Sequence, residues 1–372
     1  MIKDRPLKLL KQQKKVDFWI ILLTLIFSLF GILMIYEASN VIAFKDFGDK
    51  YHFVKDQMVW FGIGLVALMI TSRISYKRLN FISVIILIFS IISLIGVFIP
   101  GVGIKIYGAR RWIGLGGFSF QPSELAKLSL IVYLSSWLSS SSKEKGRFIA
   151  FLLLFCLIVG LIILQPDLGT AIIIINIFIS MYFLSGASIW HFIFILPIVL
   201  MTVTALAIFS PYRFARITTF LNPNIDPLGA SYHIRQILIS LGSGGIWGLG
   251  LGSSIQKYQF LPEATTDSIF AIIGEEFGFI GAILIIILLI VFIYRLILVA
   301  KYAPDKQSYL LSCGIFTLFA SQTVINLGSM VTLFPLTGVP LSFLSYGGSN
   351  LIISYIAIGI ILNISRQSIK KS

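Results

Sequence analysis

Ten apolar runs, each long enough or nearly long enough to cross a bilayer, divide this chain from end to end. They fall at residues 18–36, 54–71, 81–99, 122–139, 148–164, 168–184, 189–209, 269–295, 308–328 and 347–363. A helix rising about 1.5 Å per residue needs about twenty apolar residues to span the hydrocarbon layer. Lipid offers no partner to a free backbone amide, so such runs can settle only as helices. The second run is the weakest, being interrupted by Gly62 and Gly64. Composition agrees: with 57% hydrophobic and 12% charged residues over 372 positions, a soluble globular domain is excluded. The expected fold is an all-α polytopic membrane protein, one transmembrane domain of about ten helices over residues 1–372.

Charge sets the direction of threading. Lys3, Arg5, Lys8, Lys11, Lys14 and Lys15 precede the first run, and Arg73, Lys77, Arg78, Lys143, Lys145, Arg147, Arg295, Lys301, Lys306, Arg366, Lys370 and Lys371 fall on the same side. The opposite side carries fewer cations, which predicts a cytoplasmic basic N-terminus (residues 1–17) and a cytoplasmic C-terminus. The predicted location is a membrane crossed many times, with both termini on its cytoplasmic side. The first run is too long for a signal-peptide core and no small-residue cleavage site follows it, so it reads as a retained helix. The net charge of +14 is not gathered on a soluble module, so nucleic acid is not an expected partner.

The longest stretch between runs, residues 210–268, lies outside on this topology, between helices 7 and 8. It carries Arg213, Arg216, His233, Arg235, Lys257, Glu263 and Asp267. A second outer segment, 100–121, holds Lys105, Arg110 and Arg111 without an acid. Cations on the translocated side oppose the usual bias, so they point to an anionic ligand there; anchoring of the loops to lipid phosphates is the plainer reading. Asp267 stands at the mouth of the eighth run. There it can act as a general base, or Thr266, Asp267 or Ser268 can simply cap the helix.

Glu275 and Glu276 lie two turns deeper, where a charge must be paired, protonated or turned to a polar cavity. Glu124 and Lys127, three apart on one face of the fourth run, are the expected partners: a Lys127–glutamate pair would lock helices four and eight. The alternative is a hydrophilic cavity reaching the site. The glycine-rich run 242–252 follows no strand and lacks the Gly-Lys-Ser/Thr ending of a nucleotide loop. It reads as a tight re-entrant or surface segment. Cys156 and Cys313 sit in apolar runs, and His52, His191 and His233 are scattered, so no metal site is expected. No internal repeat is evident, which weakens an inverted-repeat transporter.

Several motifs are more specific. They are Gly108-Ala109-Arg110-Arg111-Trp112-Ile113, Phe120-Gln121-Pro122-Ser123-Glu124-Leu125-Ala126-Lys127, Gln165-Pro166-Asp167-Leu168-Gly169-Thr170, Asp226-Pro227-Leu228-Gly229, Gly242-Ser243-Gly244-Gly245, Leu261-Pro262-Glu263, Asp267, Thr337-Gly338-Val339-Pro340 and Ser345-Tyr346-Gly347-Gly348-Ser349. In this order, and across the whole chain, they resemble the SEDS (shape, elongation, division and sporulation) family of FtsW, RodA and SpoVE proteins. The run 248–252 with Gln256-Lys257 is closer to FtsW and SpoVE than to RodA.

The resemblance implies a peptidoglycan glycosyltransferase that polymerises lipid II onto a lipid-linked nascent glycan. It implies Asp267 as the catalytic aspartate, a class B penicillin-binding transpeptidase as partner, and other division or elongation membrane proteins as further partners. The sequence departs from the family at Thr265, where His is common, at Ser268, where Phe is common, and at Ser342, where Pro is common. On this reading Asp267 takes a proton from the acceptor hydroxyl. Arg110, Arg111, Arg213, Arg216, Arg235 and Lys257, with Glu263, bind diphosphate and sugar. Glu124, Lys127, Glu275 and Glu276 are structural or line a cavity, and a divalent cation (Mg2+ or Mn2+) is an admissible cofactor. Two other functions compete: a lipid II transporter, which would not need Asp267, and a non-catalytic division scaffold, which would tolerate its loss.

Overall fold

The structure is a computed structural model that describes residues 16–106, 109–115, 118–140, 147–193, 197, 218–220, 231–258 and 260–368. Its long helices are α1 (Phe18–Phe47), α2 (His52–Arg73), α3 (Leu79–Gly96), α4 (Pro122–Ser139), α5 (Arg147–Leu164) and α6 (Leu168–Leu184). After the short α7 (Tyr232–Ser243) come α8 (Ile269–Lys301), α9 (Lys306–Met330) and α10 (Gly348–Gln367). Six spans among the described residues, those containing α1, α2, α3, α8, α9 and α10, are long and apolar enough to cross a bilayer. The protein is a multi-pass, mainly helical membrane protein. Most of the predicted seventh helix, 189–209, lies outside the described residues.

Helix ends explain the main departures from the sequence reading. Asp17 caps α1 by accepting from the amides of Trp19 and Ile20. The helix then continues well past residue 36, ending only where Gly48 adopts a left-handed conformation. Glycines do not break α2: Gly64 faces Tyr355, and a Cβ there would sit 2.7 Å from the ring. That close approach is how helices associate in lipid, where expulsion of water supplies no drive and packing must. In the core, Phe27, Phe292, Phe319, Phe343 and Tyr355 interlock edge-to-face or stacked.

At the end where α1 begins, α8 meets α1 through an ion pair between Arg295 and Asp17. A capping box of Asp305 and Ser308 starts α9, and the Tyr76 hydroxyl donates to Asp305 at 2.6 Å. The opposite end holds a three-stranded antiparallel sheet that an all-helical reading did not anticipate: β1 (Gly103–Ile106), β2 (Ala109–Leu115) and β3 (Phe118–Phe120), in that order.

The second departure lies inside α8. At Gly278 the backbone takes φ 66°, ψ −166°, and the helix breaks. The glycine-rich segment is spliced into the gap. Leu249 and Gly250 donate their amides to the carbonyls of Glu275 and Glu276, at 3.0 Å each. The amides of Phe279 and Ile280 turn to the carbonyls of Gly245 and Ile246, at 2.9 and 3.2 Å. Two ordinary helical bonds are thus exchanged for four cross-bonds, so the amides of Phe279 and Ile280 keep partners at a depth where lipid offers none. Backbone touches backbone here: a Cβ on Gly278 would lie 2.2 Å from the Gly248 nitrogen.

Replacing Gly278 with alanine is therefore expected to lower the melting temperature in detergent or nanodiscs. The strained backbone alone costs about 1–3 kcal/mol, and the clash adds to it. Gly62→Ala, with nothing within 4 Å, should leave the melting temperature unchanged or raise it.

Candidate active site

The end of the bundle that carries the sheet gathers the sequence motifs. Asp267 lies in the turn leading into α8, which begins after Ser268 without any side-chain cap. Its carboxylate is thus not spent on helix amides, contrary to the capping alternative. One Asp267 oxygen, Oδ1, is 2.7 Å from the Thr266 hydroxyl, which also lies 2.8 Å from Glu263 Oε2, so one hydroxyl links two carboxylates. The other, Oδ2, borders Gly338, where an added Cβ would lie 3.5 Å away. Asp267 is partly exposed and Glu263 exposed.

The turn itself is tightly held. Glu263, at φ 51°, accepts from the amides of Thr266 and Ser268. Asn326 of α9 donates to the backbone carbonyls of both Asp267 and Val339, at 2.8 Å each. The Tyr346 amide donates to Thr265, and the Tyr346 hydroxyl to Asp56 of α2. The residue after the acid, Ser268, is fully buried, and His233 of α7 approaches its hydroxyl to 2.8 Å. His233 thus meets this turn at a serine that replaces the family's usual Phe. Sequence reasoning missed both His233 and Asn326, whose contacts cross long stretches of chain.

Arg110 and Arg111 are adjacent on β2, where its register with β1 shifts and leaves Arg111 as the extra residue, and the two reach different partners. Arg111 donates to the carbonyls of Gln165 and Pro166. Those residues precede Asp167, which caps α6 by accepting from the Thr170 amide and hydroxyl. Gly169 in turn packs so closely on Thr337 and Val339 that a Cβ would be 2.4 Å from Val339. A contiguous path therefore runs from Arg111 through the start of α6 to the strip beside Asp267. Arg110 is exposed and reaches the Phe98 carbonyl instead, so the expected pair is divided. Arg235 is exposed on α7. Arg213 and Arg216 lie outside the described residues.

Three sequence expectations change. Lys257, read as a substrate-binding cation, is only 5% exposed and turns inward to Glu37 of α1 at 3.4 Å and to the Gly252 carbonyl. Lys127 pairs with Glu124 on its own helix at 2.8 Å, with both side chains buried. It does not lock α4 to α8 through Glu275 or Glu276. Glu275 instead accepts from Ser254 and Ile255, with the Ser240 hydroxyl 3.4 Å away, and Glu276, equally buried, faces the backbone amides of Gly252 and Ser254. The reason is the break at Gly278, which brings the glycine-rich segment, rather than α4, against these acids. Among the described residues no group of three His, Cys, Asp or Glu is placed to hold a metal ion.

Fold and site together define a polytopic membrane protein with an acid at a polar mouth, set on a broken helix. The sequence profile of the FtsW/RodA/SpoVE cell cycle proteins matches residues 17–370, and the chain belongs to that family. It is 41% identical over 364 residues to Stage V sporulation protein E of Bacillus subtilis (strain 168), covering 95% of this chain and 97% of that one. It is also 41% identical over 359 residues to a probable peptidoglycan glycosyltransferase FtsW of Trichlorobacter lovleyi, covering 94% and 93%.

Two solved structures share the fold. One, described as the structural coordination of polymerization and crosslinking by a peptidoglycan synthase complex, aligns with a TM-score of 0.77 at 27% identity, over 94% of this chain and 98% of that one. The other is the rod shape determining protein RodA of Thermus thermophilus, with a TM-score of 0.70 at 27% identity over 96% and 98%.

Proposed function

We propose that this protein is an inverting peptidoglycan glycosyltransferase, polymerising lipid II into glycan strands at the outer face of the cytoplasmic membrane during division or cell-shape growth. The observation that carries the reading is the Asp267 carboxylate. It is held at the mouth of α8 by a clamped backbone, free of capping duty, and borders Gly338. The named relatives and the peptidoglycan synthase complex support the same chemistry.

Making a β-linked strand from an α-linked lipid diphosphate requires inversion at the donor's anomeric carbon. The acceptor's 4-hydroxyl attacks as Asp267 takes its proton, and the bond to diphosphate breaks with both electrons on the departing oxygen. Diphosphate is a good leaving group, so no general acid is required. Its growing charge calls for cations. Arg111, bound to carbonyls, and exposed Arg235 form no salt bridge with a carboxylate among the described residues; Arg110, Arg213 and Arg216 complete the candidate set. Glu263 is tied to the base through Thr266, so it influences the acceptor side. Among the described residues, the linked carboxylates of Glu263 and Asp267 are the oxygen donors that a divalent cation (Mg2+ or Mn2+) would find at this mouth, where it would offset the charge growing on diphosphate.

The excess of Lys and Arg in one set of loops supports cytoplasmic termini and an Asp267 mouth on the outer side. A class B penicillin-binding transpeptidase is the proposed partner, crosslinking the strands as they emerge. The test is conversion of labelled lipid II by purified protein, with and without such a transpeptidase. A ladder of glycan chains supports the reading. Movement of lipid II across liposomes without any ladder would favour the transporter.

A further inference from the structure

We infer that Glu275 is a positioning residue for the reaction at Asp267, acting by clamping the break in α8; its effect on chain growth rests on the glycosyltransferase reading above. Glu275 is 1% exposed, its carboxylate accepts from the Ser254 hydroxyl and the Ile255 amide, and the Ser240 hydroxyl of a second segment stands beside it. Ser254 and Ile255 follow the glycine-rich run, with the Ile255 amide at 3.1 Å. Ser240 of α7 lies 3.4 Å from the same carboxylate and 2.9 Å from the Ala271 carbonyl, on the first half of α8. One side chain therefore ties together the helix that begins beside Asp267, the segment spliced into its gap, and the helix that carries His233 and Arg235.

The geometry makes this clamp matter at a distance. Asp267 and Glu275 lie eight residues apart, about 12 Å along the helix. Between them α7 meets α8 twice more, through Ser240 at Ala271 and through His233 at Ser268. The four backbone cross-bonds at the break fix how the first half of α8 is aimed relative to the second. All four involve glycine-rich backbone that is conformationally permissive. A charged acceptor with two close donors and a third hydroxyl beside it is what holds that backbone in one arrangement, since charge-assisted bonds are the stronger kind. Without it, the Asp267 turn and α7 are free to drift by the fraction of an ångström that orientation-dependent chemistry feels.

The test uses the full chain in nanodiscs, with Glu275→Ala, Glu275→Gln, Ser254→Ala and the Glu275→Ala/Ser254→Ala pair. Hydrogen exchange is followed at the amides of Leu249, Gly250, Phe279 and Ile280, and lipid II polymerisation is resolved into kcat and KM. Glu275→Ala should lose about tenfold or more of the protection at those four amides while α9 keeps its own. Its kcat should fall about tenfold or more with KM within about threefold, a split that simple loss of folded protein does not mimic at fixed active concentration. Glu275→Gln, which keeps one acceptor oxygen for the Ile255 amide but loses the second oxygen and the charge, should fall between wild type and Glu275→Ala in both readouts, and the double variant should be little worse than Glu275→Ala.

If Glu275→Ala does not fold, Ser254→Ala decides, with smaller losses in the same two readouts. Unchanged protection, or lost protection with kcat within about twofold, would overturn the inference. A wild-type protein that makes no glycan would instead refute the proposed function, and the exchange data alone would then judge the clamp.

Discussion

Asp267→Asn is expected to slow glycan chain growth by about 10²–10⁴-fold, equivalent to about 2.7–5.5 kcal/mol of barrier. The substitution keeps the shape of the side chain and removes only its ability to accept a proton. Little else should change. The Thr266 hydroxyl can still donate to the amide oxygen, and both Asn326 bonds go to backbone carbonyls that the variant retains. Melting temperature and lipid II affinity should therefore match wild type, and the loss should appear in kcat. Asp267→Ala should lose as much activity. An Asp267→Asn protein with near wild-type polymerisation would remove the proposed base, whatever its stability.

Removing Lys127 should produce the largest loss of stability. Its ammonium and the Glu124 carboxylate are 1% and 3% exposed by residue and 2.8 Å apart, in the middle of a helix bundle. Lys127→Met leaves Glu124 as a buried charge without its cation, which costs about 3–5 kcal/mol where such pairs have been broken. The expected reading is a sharply lower melting temperature and poor recovery of folded protein from membranes. Glu124→Gln/Lys127→Met removes both charges together and should recover much of the stability, since neutral replacements of buried pairs are often tolerated. A single variant as stable as wild type would show that the pair is not what secures this part of α4.

How far the sequence could be read depended on whether a feature was local. The apolar runs were legible because lipid imposes length and polarity on each helix separately, and Asp267 stood out as an acid at the mouth of one of them. The break in α8 was not legible from hydropathy, because residues 269–295 read as one unbroken apolar run and backbone angles leave hydropathy unchanged. The available signal was glycine placement: Gly274, Gly278 and Gly281 punctuate α8 around two acids, opposite a run already rich in glycine. Pairing Lys127 with Glu275 or Glu276 failed for the same reason. Charge counting identified groups that needed partners, but only the spliced loop shows that Glu275 is served by Ser240, Ser254 and Ile255. The sheet was hidden in a short, glycine-rich outer segment, and its irregular register lets Arg110 reach Phe98 while Arg111 reaches Gln165 and Pro166. His233 and Asn326 carry no spacing signal, because they reach the Asp267 turn from helices 35 and 59 residues away along the chain.

The most direct test of the central claim is the anomeric configuration of the linkage made by the purified wild-type protein from α-linked lipid II, read by NMR and by digestion with a muramidase. A single displacement with Asp267 as base predicts β-linked strands that the muramidase cleaves. Strands with retained α-configuration would mean a double displacement, and no strands at all, with the transpeptidase partner present, would mean that this site does not polymerise glycan.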